Sequence, residues 1–277
     1  MTHPQEEHQA PAAHPDPMAG VTLSQVLHYR PNLLPYLQDL LTAVVAHVPH
    51  LVAELLLEDP DPRPRALPLE GTVMFADIDG FTPLAERFSE AASEEGAEEL
   101  TELVNRFMQL LIPITARYGG DLQKFGGDAG LLLFHGEGHA LRAVAAALEV
   151  QAAMQAQMRA LQTSLGEFSL RIAIGLGSGR MVGLGVGDSA GRDFLLIGDP
   201  LDAMGRAQSA APPDGTVVAA ETLAACGDAV AHESLGDDLH LITGLEGASP
   251  ELETSARLTF PKIEPAAQLQ WLLSRLD

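Results

Sequence analysis

Asp77 and Asp128 stand 51 residues apart in the 277-residue chain, each where a strand-like run ends. Asp77 follows the apolar run Thr72 to Ala76. Asp128 sits in a Gly126-Gly127-Asp128 turn, between the strand-like stretches 121–125 and 130–134 of a hairpin. If these strands lie side by side in one antiparallel sheet, two carboxylates converge at one sheet end. Mg²⁺ takes near-octahedral oxygen ligands, commonly one or two carboxylates completed by water, carbonyls and substrate phosphates, and the Ile78 carbonyl is a natural extra ligand. Asp79-Gly80-Phe81-Thr82 then leads into a helix, with Thr82 expected as N-cap and Pro83 as its first residue. Free N–H groups at such a helix start suit a triphosphate, but the carboxylates alone would repel it, so a metal must mediate. Lys124, four residues before Asp128, is a compact cation suited to a base or an anion.

Taken singly, each aspartate has a plainer explanation. An Asp in a Gly-Gly-Asp turn serves the turn, and an Asp at a strand end often caps a helix. Combined with the phosphate-type helix start and a lysine in a chain that holds only two, Lys124 and Lys262, the constellation is stronger than its parts. Other motifs carry less. Gly185 to Ala190 matches a relaxed dinucleotide pattern without the helix that pattern needs, and reads as a tight or disordered loop. Ser178 and Ser189 lack a nucleophile-elbow context, and His135 and His139 lack partners at metal spacing. Cys226 falls in an ordinary helix.

The elements that must position these residues follow from periodicity. Apolar residues at Leu100, Leu103, Val104, Phe107, Leu111 and Ile114 predict a long helix that stops at Gly119-Gly120. Its glutamates 94, 95, 98, 99 and 102 read as a solvated face. Residues 140–158 predict a third helix, and Leu170, Ile172, Ile174 and Leu176 alternate as a half-buried strand. Further strands are expected at 181–186, 194–197, 216–219 and 239–242, with a helix from Pro200 to Ala211. This order predicts an α+β fold: a ferredoxin-like antiparallel sheet with helices on one face, preceded by short N-terminal helices. The expected organisation is a disordered tail at 1–21, a helical extension and Pro-rich linker at 22–68, the main domain at 69–245, and a C-terminal extension with a short helix at 246–277. The linker is placed at Asp59 to Pro68, and the first strand at Thr72.

Composition bounds the function. Apolar residues make up 46% and charged residues 19%, with mean hydropathy +0.09, which predicts a soluble globular protein. The formal charge of −22 disfavours a nucleic-acid partner and anionic membranes. No targeting segment or spanning stretch is read in the sequence. A lone cysteine fits a reducing compartment, with a cytoplasmic location as the expectation.

Phe75-Ala76-Asp77-Ile78-Asp79-Gly80-Phe81-Thr82, followed by Gly119-Gly120-Asp121-Leu122-Gln123-Lys124-Phe125-Gly126-Gly127-Asp128, resembles the class III adenylyl and guanylyl cyclase catalytic domain. The similarity spans about Gly71 to Cys226 and looks closest to the first catalytic domain of soluble adenylyl cyclases. It implies that Asp77, Asp128 and the Ile78 carbonyl hold two Mg²⁺ or Mn²⁺ ions, that Phe81 and Thr82 meet the phosphates, and that Lys124 contacts adenine. It implies ATP as substrate, cyclic AMP and pyrophosphate as products, and a head-to-tail dimer, either a homodimer or a pairing with a complementary cyclase domain. The family's transition-state Asn and Arg align with Asp202 and Arg206, so only the arginine is kept. Leu195 takes a second base-reading position that is usually polar. A homodimer is therefore expected to hold complete metal sites and impaired transition-state sites. The resemblance also implies an anion pocket at Lys124 and Arg206 that takes bicarbonate. The alternative reading is a catalytically weak or inactive module that binds nucleotide, metal or bicarbonate and regulates a partner.

Overall fold

The computed structural model describes residues 22–45, 47–58, 64–91, 94–188, 191–247, 250 and 262–276. The tail expected at 1–21 lies outside them. The described residues fall into two compact units, one holding 22–45 with 262–276 and the other those between 47 and 250.

In the first unit, α1 (Leu23–Tyr29) starts at a capping box in which the Thr22 hydroxyl accepts from the Gln25 N–H and the Gln25 side chain accepts from the Thr22 N–H. Helix α2 (Leu33–Val45) buries Leu37 and Leu41, and the chain's last helix, Pro265–Leu276, buries Leu269 and Leu272 while packing against both.

The second unit runs α3 (His50–Glu58), β1 (Arg65–Asp79), α4 (Phe81–Ala91), α5 (Glu94–Arg117), β2 (Gly120–Gly126), β3 (Ala129–His135) and α6 (His139–Gln157). It continues with β4 (Leu161–Thr163), β5 (Gly166–Phe168), β6 (Arg171–Asp188), β7 (Gly191–Ile197), α7 (Asp199–Ala210), β8 (Thr216–Ala219), α8 (Ala220–Cys226), β9 (Val230–Gly236) and β10 (Leu239–Leu245). The main sheet has the order β2-β3-β1-β6-β8-β10-β9, with β7 paired to β6. Every pairing is antiparallel except β6 with β8. The α+β class with an antiparallel-dominated sheet and short N-terminal helices is the one expected.

Alternation along β1 separates two packed faces. Met74, Ala76 and Ile78 join Leu132, Phe134, Ile172 and Ile174 beneath α4, α5 and α6, forming the larger core. Val73 and Leu133 face the other way, against Leu51 of α3 and Met204 of α7. The helical layer expected on one face is present, and α7 adds a helix to the opposite face. Glycine makes that possible: a Cβ on Gly177 would lie 2.1 Å from the Pro200 carbonyl oxygen, and one on Gly175 would lie 2.2 Å from the Gln208 nitrogen.

Three expectations are corrected. Strand β1 begins at Arg65, inside the stretch read as linker, because β6 pairs with it from Arg65 onward. Its Pro68 lies where β1 has no partner on the β3 side, since that ladder starts at Gly71. Helix α4 begins at Phe81, so Thr82 lies in its first turn instead of capping it. Gly80, at φ +90°, turns the chain, and its carbonyl accepts from Leu84 N–H at 3.4 Å. Finally, Gly185 to Asp188 are not a loop but the end of β6, which pairs with β7 through Asp188 and Gly191. Residues 189 and 190 lie outside the description.

Candidate active site

Asp77 ends the rungs that β1 shares with β3, opposite Ala129. The turn carrying Asp128 comes immediately before that rung. The Ile78 N–H donates to the Asp128 carbonyl at 3.2 Å, fastening the turn to β1. An extended residue presents its N–H and C=O toward the same neighbouring strand, so the Ile78 carbonyl faces the Asp128 turn as well. Gly127, at φ +64°, lets the turn close, and a Cβ at Gly126 or Gly127 would meet nothing within 4 Å, so space lies open beside the turn. The structure therefore brings Asp77, Ile78 and Asp128 together.

Burial is the main influence on Asp77, with the nearby charges of Asp128 and Asp79 next, and together they push its carboxyl up to about 6. Like charges gathered at a half-buried site favour a cation between them. Asp79 is already committed, since Arg171 on β6 donates to it at 2.9 Å. Among the described residues no group of three or more His, Cys, Asp and Glu is placed to hold a metal. The donor set is then two carboxylates and a carbonyl, all hard oxygens, which fits Mg²⁺ or Mn²⁺ whose remaining positions are met by water and phosphate.

Phe81 and Thr82 occupy the first turn of α4, with the Phe81 ring packed against the main core and Thr82 exposed. Lys124 lies on β2, and its ammonium pairs with Asp193 of β7 at 3.2 Å. Asp193 was not singled out in the sequence; the signal that could have found it is its two-residue offset from Leu195, which puts both on one face of β7. Leu195 is 36% exposed on that face. Asp202 and Arg206 are exposed on α7. Arg206 borders a shallow hollow with Ser209 and Asp237, which neither Asp77 nor Asp128 lines. One further α7 residue turns inward: Gln208 donates from Nε2 to Asp77 Oδ2 at 3.4 Å. Cys226 is buried in α8 with its thiol pushed up to about 11 by burial, which leaves no ready nucleophile there.

A profile of the adenylate and guanylate cyclase catalytic domain matches residues 70–239, from the middle of β1 to the start of β10. The chain belongs to this family. Adenylate cyclase type 10 of Rattus norvegicus is 32% identical over 190 residues, covering 66% of this chain and 11% of the relative. The chain thus spans about a tenth of that relative's length. Among solved structures, the adenylyl cyclase CyaB from P. aeruginosa superposes with a TM-score of 0.55 at 23% identity, covering 69% of this chain and all of the other. A bacterial light-regulated adenylyl cyclase reaches 0.60 at 18% identity, covering 91% and 70%. At these identities the two structures speak for the fold. The class III cyclase resemblance of the two aspartate motifs is borne out. Among the described residues no helix is long and apolar enough to cross a membrane.

Proposed function

We propose that the chain is an adenylyl cyclase domain that converts ATP to 3′,5′-cyclic AMP and pyrophosphate at a site shared by two cyclase domains. The observation that carries this reading is the convergence of Asp77 and Asp128 at one sheet end, beside the first turn of α4. In the reaction the ribose 3′-hydroxyl gives its proton to solvent water as its oxygen forms a bond to the α-phosphorus, the bond from that phosphorus to the α–β bridging oxygen breaks, and pyrophosphate leaves with that electron pair. Two divalent ions, Mg²⁺ or Mn²⁺, supply activation of the 3′-hydroxyl and charge neutralisation when bound. Asp77, Asp128 and the Ile78 carbonyl hold them. The backbone N–H groups of Phe81 and Thr82 receive phosphate oxygens at the helix start. Lys124 donates to the unprotonated N1 of adenine, and Asp193 accepts from its exocyclic amine. Guanine would set an N–H against the ammonium instead. Arg206, exposed on α7, stabilises the transferring phosphate in the site of the paired domain.

The second reading is a cyclase-homology module that binds nucleotide, metal or bicarbonate and regulates a partner. Asp202 favours it, because a carboxylate where an amide is usual is an acceptor only and repels a triphosphate. Purified protein incubated with ATP and Mn²⁺ is expected to release cyclic AMP and equimolar pyrophosphate, identified by mass, and to turn GTP over more slowly. No product from either nucleotide, alone or with a complementary cyclase domain, would select the regulatory reading.

A further inference from the structure

We infer that Gln208 is a positioning residue for Asp77, orienting the carboxylate so that one oxygen is held and the other is presented to a divalent ion. The inference rests on the metal-binding reading of Asp77 and Asp128. Its geometry begins with glycine. Because Gly175 and Gly177 carry no Cβ, α7 seats directly on β6, and the backbone of Gln208 lies over Gly175. Gly175 pairs with Phe75 in the β1–β6 ladder, two residues before Asp77 on the same sheet face. A side chain of glutamine length spans that offset, and its Nε2 reaches Asp77 Oδ2 at 3.4 Å. Among the described residues none hydrogen-bonds to Asp77 Oδ1, and the Asp128 turn is fastened to the next residue, Ile78, whose N–H donates to the Asp128 carbonyl at 3.2 Å.

The chemistry of the donor matters as much as its position. Asp79, two residues on, is neutralised by Arg171 at 2.9 Å. Asp77 receives an amide instead. A guanidinium or ammonium there would compete with a divalent ion for the negative charge, whereas a neutral N–H fixes the carboxylate and leaves its charge available. Helix geometry adds a consequence. Arg206 precedes Gln208 by two residues, about 200° around the helix, and is exposed. The helix that steadies this chain's metal carboxylate therefore also aims the arginine outward.

The test is Mn²⁺ binding to the full chain without nucleotide, read from the free-ion electron paramagnetic resonance signal. Gln208→Met keeps the length and removes the N–H. It is expected to weaken Mn²⁺ binding roughly 10- to 100-fold without moving the urea midpoint. Asp77→Asn should weaken binding at least as much, and Gln208→Met should add nothing in the Asp77→Asn background. Gln208→Leu replaces Gln208→Met if the latter does not fold. Wild-type affinity in the Gln208 variant, with binding lost in Asp77→Asn, overturns the role of Gln208 and leaves the metal site standing. Unchanged affinity in Asp77→Asn as well overturns the metal reading itself.

Discussion

Asp77 sits half-buried beside two other carboxylates, and its pKa, pushed up to about 6, registers that conflict. Since this value lies above the ordinary 3.8, the folded state holds the proton more tightly than the unfolded chain. The stability contributed by Asp77 is complete below pH 3.8 and is lost as pH rises through about 6. In EDTA, Asp77→Asn is therefore expected to be more stable than the wild type at pH 7.5, with the difference disappearing toward pH 4. Urea unfolding at the two pH values measures it. Asp202 poses a second problem of charge, since it stands on the exposed side of α7 with Arg206. A missing donor of this kind costs roughly 100- to 1,000-fold. Asp202→Asn is expected to raise turnover of ATP by at least about 10-fold, seen as initial rates of cyclic AMP formation. An unchanged rate would place Asp202 outside the reaction.

At the scale of elements, the glycines of β6 explain both what the sequence concealed and what the site requires. Residues 171–188 form one strand, where the sequence predicts two, one over Leu170 to Leu176 and one at 181–186, followed by a loop from Gly185. Packing demands several of its glycines. Gly175 and Gly177 lie under α7, and a Cβ on Gly183 would sit 2.5 Å from the Phe194 ring. The Asp77 and Asp128 motifs were legible because local turn chemistry marks them and one β1–β3 ladder joins them. Asp193 and Gln208 were not, because they meet Lys124 and Asp77 across 69 and 131 residues of chain. Nothing local distinguishes either residue. Gly175→Ala is expected to lift α7 from the sheet, costing about 1–3 kcal/mol and lowering turnover with it. Denaturation midpoints and initial rates check the pair of effects. A variant with wild-type turnover would mean that α7 need not lie close to β6.

The whole molecule repeats this division of labour. Asp77 lies on β1 beside the Asp128 turn and Lys124 of β2 pairs with Asp193 of β7, while Arg206 is exposed on α7. The −22 charge that argued against nucleic-acid polymers is no obstacle to a nucleotide, because divalent ions bridge carboxylates to phosphates. The helical unit of α1, α2 and the last helix brings residues from both ends of the sequence into one compact body, which periodicity within each segment could not reveal. The proposed site is divided between two domains, one giving Asp77 and Asp128 and the other Arg206. Mixing separately purified Asp128→Ala and Arg206→Ala chains tests this most directly. Each alone should form almost no cyclic AMP, while a random mixture restores one intact site in half of the dimers, about a quarter of the wild-type rate. A mixture as inactive as its components, under conditions where the wild type turns over, would contradict the shared site.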